Sequence, residues 1–256
     1  VANGKIYDST EFDEIYIQSA AGDGGTSLGS AIYVHNATLK QSRQFIMNSS
    51  YWGPSYNNSD ISEALENNNL SYNLLTEDEL INETAKAISD GKIVGWFQGK
   101  AEWGPRALGN RSILADPRKP DMREKLNLRI KRRENFRPFA PSILIEATED
   151  YFEIARPDPF MLKVYPIKEN KRDVIPAVTH VDGTGRLQTV SRNDNPRYWK
   201  LIKRFEELTG VPILLNTSFN ENEPIVCNPN EAIQCFVRAH MDLLVIGDYI
   251  VFEQRT

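Results

Sequence analysis

The residues whose types can do chemistry are concentrated between Gly99 and Pro141. From Arg106 to Arg137 the sequence holds eleven Lys and Arg against four Asp and Glu, although the whole chain has a net charge of -5. Such a local positive field concentrates anions and stabilises them once they are bound. Arg presents a planar fork of donors that matches phosphate or carboxylate oxygens, and Lys adds a mobile point charge. The stretch therefore predicts an anion site.

The spacing and the neighbours divide these cations into two groups. Met122, Leu126 and Ile130 recur on one face of a predicted helix over 122–133. The cations around this helix are expected to be mostly solvated: Arg118, Lys119, Arg123, Arg129 and Arg132. The others stand beside glycine, proline or aromatic residues, where a purely solvated charge has less reason to be: Arg106, Arg111, Lys131, Arg133 and Arg137.

A glycine-rich turn near the start of the sequence is a second candidate site. Residues 13–18 alternate like a short strand, and residues 27–35 have the pattern of a helix. A strand that leads through such a turn into a helix N-terminus is a general way to hold phosphate. Asp23 at its tip suits a metal ion, although capping the helix is the more frequent role of such a residue. The glycines of the turn are Gly22, Gly24 and Gly25.

Two later segments offer further polar groups. A predicted strand over 211–216 leads directly into Ser218 and Asn220, whose side chains suit an amide-like group or phosphate oxygens as well as they suit a turn. Arg186, in the loop-like region 168–195, is either an extra anion ligand or a surface residue of a hairpin. His180 in the same region is interpreted as a structural hydrogen-bonding residue.

Helical and strand-like patterns alternate from residue 76 onwards, which predicts one mixed α/β unit over 76–256. Thr76 and Glu79 form a capping box for the first helix, and Gly91 follows as its stop. Residues 41–75 are expected to be a connector with a short helix at 59–66. The other predicted strands are 92–98, 138–145, 160–165, 243–246 and 249–252, and the other predicted helices are 148–154, 195–210 and one capped by Asn228.

Composition narrows the class of protein. Across 256 residues, 40% are hydrophobic and 25% are charged, which is ordinary for a soluble globular protein. No apolar run approaches the roughly 18–20 residues of a membrane span, and the first residues lack a secretory pattern. Cys227 and Cys235 are expected to be reduced thiols, so the predicted location is cytoplasmic. The sequence pI near 5.4 and the lack of aromatic residues interleaved with the Arg run argue against nucleic acid.

The string EWGPRALGNRSILADPR (residues 102–118), followed by IKRRENFRPFAPS (residues 130–142), resembles the C-terminal part of the O-carbamoyltransferases of nodulation-factor and antibiotic tailoring. The resemblance implies that residues 76–256 form a YrdC-like domain, a twisted open sheet with a basic concave face. It also implies that residues 1–40 are the tail of a preceding ATPase-type domain of the actin/hsp70-like fold.

The same resemblance assigns roles to residues. Lys131 and Arg133 match a Lys-x-Arg pair, and Ser218 and Asn220 match a Ser-x-Asn pair, both of which bind an anionic substrate. The remaining cations match positions around carbamoyl phosphate and the adenylate: Arg106, Arg111, Arg137 and Arg186. The resemblance implies catalytic roles for Lys131, Arg137 and Arg186. It also implies that Gly22, Gly24 and Gly25 lie near a nucleotide and that Asp23 belongs to a metal centre.

The implied activity has two steps. Carbamoyl phosphate and ATP give carbamoyl-adenylate, and the carbamoyl group then passes to a hydroxyl of a sugar-type acceptor. A divalent metal, Fe or Mg, is expected in the full-length enzyme. The family carries a His-x-x-x-His motif that this chain lacks, because its three His are His35, His180 and His240. The chain is therefore expected to be a C-terminal fragment that lacks acceptor transfer.

Three alternatives and one property stay open at this point. A threonylcarbamoyl-adenylate synthase-like enzyme and an RNA-binding YrdC-like module are compatible with a basic sheet face. The third alternative is a non-catalytic regulatory or structural domain, which suits a fragment that never acts alone. The oligomeric state, including a homodimer, is equally open.

Overall fold

A computed structural model of the protein describes residues 2–154 and 156–253. The helices are α1 (Ile6–Ser9), α2 (Thr26–Tyr33), α3 (Asn58–Asn67), α4 (Glu77–Ser89), α5 (Met122–Lys125), α6 (Thr148–Tyr151), α7 (Glu169–Arg172), α8 (Pro196–Thr209) and α9 (Pro229–Arg238). The strands are β1 (Asn73–Leu74), β2 (Val94–Phe97), β3 (Arg111–Ala115), β4 (Ala140–Leu144), β5 (Tyr165–Pro166), β6 (Thr184–Gly185), β7 (Gln188–Val190), β8 (Ile213–Ser218), β9 (Leu243–Ile246) and β10 (Tyr249–Phe252).

Eight of these strands form one mixed sheet in the order β1-β10-β9-β2-β3-β8-β4-β7. The pairs β2–β9 and β4–β7 are parallel, and the other neighbours are antiparallel. β5 and β6 pair separately as a two-stranded antiparallel sheet. This sheet, with helices packed on it, confirms the predicted mixed α/β fold.

Three of the four helices with ten or more residues begin at caps that the sequence predicts. Thr76 and Glu79 form both hydrogen bonds of a capping box at the start of α4. The Asn195 and Asn228 side chains accept N–H bonds at the starts of α8 and α9, each followed by proline at the first helical position. α8 ends at Gly210, which has a left-handed φ of +75°.

Helix packing covers the central strands. α4 and α8 pack on each other and on the sheet, and α3 and α9 form a second pair, of which α9 packs on β2 and β9. Every residue of β2, β3, β4 and β9 is buried. Thus α3, with Ile61 and Leu65, packs into the same core as the unit predicted for 76–256, although it lies in the predicted connector. The exposed β1, from the same connector, pairs with β10 in the main sheet.

Several predicted elements are wrong. Residues 13–18 form no strand, and the segment is held by side chains instead: Ser19 Oγ donates to the carbonyl of Trp103 at 3.1 Å. The predicted strand over 160–165 is reduced to β5, because the Asp158 carboxylate accepts the N–H groups of residues 162 and 163 and holds them in a loop.

The sequence pattern also missed four strands, β1, β3, β6 and β7, and misjudged one helix. β3 and β7 both lie in the main sheet, inside stretches interpreted as a basic region and a loop. The predicted helix over 122–133 is α5 followed by a π-helical turn, Leu126–Ile130. Within the described ranges, no helix combines the length and the apolar character that crossing a membrane requires.

Candidate anion-binding site

A small cavity lies beside β4 and the end of β8. Its volume is about 140 Å³, which is close to five times the roughly 30 Å³ share of one water molecule. That size suits a phosphate or an acyl phosphate and is below the roughly 300–1,000 Å³ of sites for larger ligands. The polar residues that line it are Arg106, Arg133, His180, Arg186, Asn216, Thr217 and Ser218.

The loop that carries Arg106 is closed by one carboxylate. Glu102 Oε1 accepts the backbone N–H groups of Leu108 and Asn110, each at 2.7 Å, and of Arg111 at 3.3 Å. These bonds draw the start and the end of the loop together, with Arg106 between them. The loop is therefore ordered by its own first residue before any ligand binds.

Two glycines make the tight path of this loop sterically accessible. Gly109 has a φ of +103°, and an added Cβ would lie 2.2 Å from the ring of Tyr198. Gly104 has a φ of +130°, and an added Cβ would lie 2.8 Å from the carbonyl oxygen of Ser19. Only glycine tolerates both the positive φ and the close approach.

Residues 131–133 turn sharply, because Arg132 has a left-handed φ of +43°. Arg132 is exposed and pairs with Glu221 at 3.1 Å, whereas Lys131 is buried and Arg133 lines the cavity. A left-handed conformation costs a residue with a Cβ about 1–2 kcal/mol. The turn lets consecutive cations have different environments, which a continued helix would not allow.

The Lys131 ammonium is enclosed by oxygens of the Ser-x-Asn pair. Nζ donates to the carbonyl of Ser218 at 2.6 Å, to the carbonyl of Asn220 at 2.7 Å and to Asn220 Oδ1 at 2.7 Å. Burial and the neighbouring Arg133 lower the pKa of Lys131 to about 7. Lys131 thus joins the two predicted motifs and fixes the end of β8 beside the cavity.

Arg133 is held from one side by the end of the helical segment. Its Nε donates to Asn127 Oδ1 at 2.8 Å, and its guanidinium lies 5.1 Å from the ring centre of Phe139. Burial, followed by the charge of Arg137, lowers the pKa of Arg133. These contacts aim a partly desolvated guanidinium at the cavity.

Arg106 and Arg186 face the cavity with few protein partners. Neither guanidinium forms an ion pair with any residue in the described part of the chain. Arg106 Nε is buried without a hydrogen-bond partner there. Burial and the nearby charge of Arg186 lower the pKa of Arg106. A bound anion would relieve both the repulsion and the unsatisfied donor.

A buried polar network supports the same corner of the sheet. Asn216 Nδ2 donates to Gln188 Oε1 at 2.9 Å and to Ser142 Oγ and the carbonyl of Ala107 at 3.1 Å each. Gln188 Nε2 donates to the carbonyl of Leu108 at 2.7 Å. Three strands therefore hold the backbone next to Arg106 in a fixed position.

Four of the predicted ligands are not among the residues that line this cavity. Lys131 and Asn220 bind each other beside it, as described above, and Arg111 and Arg137 have other partners. Arg111 is buried, its guanidinium lies 3.6 Å from the ring centre of Phe97, and it donates to the carbonyls of residues 54, 98, 99 and 110. Arg137 is exposed and pairs with Glu134 at 3.0 Å. Both roles stay predictions.

Three of the cations predicted to be solvated are neutralised by neighbouring acids. Arg118 pairs with the buried Asp116 at 2.7 Å, and Arg129 pairs with Asp242 at 3.2 Å. Arg132 pairs with Glu221, as described above.

The glycine-rich turn lies apart from the cavity lining. Asp23 is exposed at the start of a short 3₁₀ turn, Asp23–Gly25, that leads into α2. No group of three or more His, Cys, Asp or Glu that suits a metal ion occurs in the residues that the structure describes. Asp23 alone does not fit a complete metal centre, and the nucleotide roles of Gly22, Gly24 and Gly25 stay predictions.

The cavity also contains residues that sequence reasoning did not select. His180 was interpreted as structural, and Asn216 and Thr217 were treated only as parts of a strand and a turn. The sequence of β8 contained one signal for Asn216, because a polar side chain inside a buried strand needs a hydrogen-bond partner.

Comparison with known proteins places the chain in a family. It matches the family described as Carbamoyltransferase C-terminus over residues 85–253, so the chain belongs to that family. It is 45% identical to the nodulation protein NolNO of Sinorhizobium fredii over 99% of this chain and 38% of that protein. It is also 45% identical to NolO of Bradyrhizobium diazoefficiens over 97% of this chain and 46% of that protein. The predicted resemblance is confirmed, and the chain spans less than half the length of these relatives.

A solved structure supports the fold. The crystal structure of P. abyssi Sua5 complexed with L-threonine superposes with a TM-score of 0.50 at 18% identity, covering 70% of this chain and 48% of that one. This similarity agrees with the YrdC-like fold predicted for the sheet.

Proposed function

We propose that this chain binds carbamoyl phosphate in the cavity described above, as the C-terminal part of a carbamoyltransferase. One observation carries the proposal. Arg106, Arg133 and Arg186 face a cavity of acyl-phosphate size, and Arg106 and Arg186 form no ion pair with the described residues. Guanidinium groups recognise phosphate oxygens through paired, charge-assisted hydrogen bonds.

The proposed reaction uses ATP. Carbamoyl phosphate, ATP and water would give carbamoyl-adenylate, phosphate and pyrophosphate, and the carbamoyl group would then pass to a hydroxyl of a sugar-type acceptor. Family membership supports the carbamoyl chemistry, and several fixed cations suit two anions that must approach each other. The cavity itself is too small for ATP, so the nucleotide would occupy an adjoining surface.

Calorimetric titration with carbamoyl phosphate tests the binding step. Arg106→Gln or Arg186→Gln should weaken binding by roughly 10–100-fold, because each removes a charge-assisted contact of about 1.5–3 kcal/mol. Arg137→Gln is the matched control, since its guanidinium already pairs with Glu134, and it should change affinity by less than about threefold. An absence of binding, or equal losses in all three variants, would contradict the proposal.

Incubation with ATP and carbamoyl phosphate tests the formation of carbamoyl-adenylate. Mass spectrometry of the mixture should detect carbamoyl-adenylate together with pyrophosphate. Carbamoyl phosphate binding without any adenylate would restrict this chain to the binding role.

A further inference from the structure

The cavity contains hydrogen-bond acceptors as well as cations. Asn216 is 1% exposed and lines the cavity, and its Nδ2 already has three acceptors. Its Oδ1 is buried and accepts no hydrogen bond from a described residue. A buried acceptor without a donor costs about 1–3 kcal/mol, so this oxygen is expected to serve a ligand or a water.

The hydrogen bonds of His180 define which of its nitrogens is an acceptor. Thr184 Oγ1 donates its proton to Asp182 Oδ1 at 2.6 Å, so it can only accept from His180 Nδ1, which lies 3.2 Å away. Burial lowers the pKa of His180 more than the charge of Asp182 raises it. The lowered pKa favours the neutral ring. The neutral ring with a proton on Nδ1 has a bare lone pair on Nε2.

His180 Nε2 is therefore a second acceptor at the cavity. It is buried and forms no hydrogen bond of normal geometry with a described residue, although the backbone of Phe139 interacts with the ring, and His180 lines the cavity together with Asn216 and Phe139. A phosphate ion presents oxygens to the three arginines, and its doubly charged form, which the arginines favour, offers only one hydroxyl proton. A site that contained cations alone would not need two neutral acceptors.

We infer that Asn216 Oδ1 and His180 Nε2 accept the N–H groups of the carbamoyl amide, so that the site selects carbamoyl phosphate over acyl phosphates without an N–H group. This inference rests on the proposed function and adds the basis of its specificity. The arginines bind the phosphate oxygens, and the two acceptors distinguish an NH₂ group from a methyl group. A site built around a buried polar contact rejects the analogue that lacks it far more strongly than an apolar pocket does.

Acetyl phosphate is the matched probe, because it replaces the NH₂ of carbamoyl phosphate by a methyl group of similar size. Calorimetry on the unmodified chain should give at least tenfold tighter binding of carbamoyl phosphate than of acetyl phosphate, with inorganic phosphate as the reference anion.

Two variants test the two acceptors. His180→Phe keeps a ring and removes the acceptor, and Asn216→Leu removes the amide. Each should lower the ratio of the two affinities by roughly tenfold and leave the affinity for inorganic phosphate within about threefold.

Ser142→Ala is the control for the buried network, since it removes an acceptor of Asn216 Nδ2 but keeps both cavity acceptors. It should keep the affinity ratio. If Asn216→Leu does not fold, His180→Phe and the ratio of the unmodified chain still decide the question. Equal affinity for the two acyl phosphates, or an unchanged ratio in a folded variant, overturns the inference and leaves the anion site intact. No binding of any of the three anions overturns the inference and the proposed function together.

Discussion

Lys131 differs from the arginines of the site because protein oxygens already surround its ammonium. Its bonds to Ser218 and Asn220 use the donors that a substrate would need. We therefore interpret Lys131 as the residue that positions the end of β8, and its charge as a contribution to the field in the cavity. This differs from the catalytic role implied by the sequence resemblance, which stays a prediction.

A pH titration of stability tests this position of Lys131. The pKa is about 7 in the folded chain and about 10.4 in an unfolded one, so the unfolded state binds more protons between these values. The free energy of unfolding should therefore rise as the pH increases from 7 towards 10. Lys131→Met removes the titrating group and should flatten this rise in denaturant unfolding followed across that range.

The same substitution has a second expected effect. Met cannot donate to the carbonyls of Ser218 and Asn220, so carbamoyl phosphate affinity should fall together with stability near pH 9. Arg132→Gln is the control, because it removes a neighbouring cation that is exposed and paired with Glu221. A Lys131→Met curve that still rises as steeply would contradict the assignment.

At the level of elements, the loop over residues 102–110 fixes the position of Arg106 at the cavity. Its folding depends on the Glu102 carboxylate, which accepts three backbone N–H groups. Glu102→Ala leaves these donors without a partner and should lower the free energy of unfolding by about 2–4 kcal/mol. Glu102→Gln keeps an acceptor oxygen and should cost about 1 kcal/mol. Thermal unfolding compares the two, and equal effects of Ala and Gln would mean that the loop folds without this oxygen.

Some elements were predictable because their signals are local. The caps at Thr76, Asn195 and Asn228 identify α4, α8 and α9, and continuous apolar runs identify β9 and β10. β7 could not be predicted, because its polar sequence QTV is buried by pairing with β4 and by the network around Gln188. Tertiary contacts there outweigh the local pattern.

The site was predictable to a similar extent. Composition alone indicated an anion site, and Arg106, Arg133 and Arg186 do line one cavity. Sequence could not separate Arg106 from Arg111, since each directly follows a turn-forming residue, Pro105 or Asn110, in one motif. β3 directs the Arg111 guanidinium onto Phe97 and backbone carbonyls, and that difference exists only in the folded sheet.

At the scale of the whole molecule, packing is uneven along the chain. All residues of β2 and β9 are buried, whereas α2 contributes no buried residue. An isolated helix shorter than about 12–15 residues is marginal in water, and α2 has eight. The local free energy of opening should therefore be small at α2 and close to the global value in the central strands.

Hydrogen exchange measured by mass spectrometry tests this difference and the predicted domain boundary near residue 40. Amides of α2 should exchange at least about a hundredfold faster than those of β2 and β9. α4 is the matched control, because it is also a helix but packs on the sheet and buries six residues, from Leu80 to Ile88. Protection of α2 equal to that of α4 would mean that the first 40 residues unfold together with the sheet, and the predicted boundary would then be wrong.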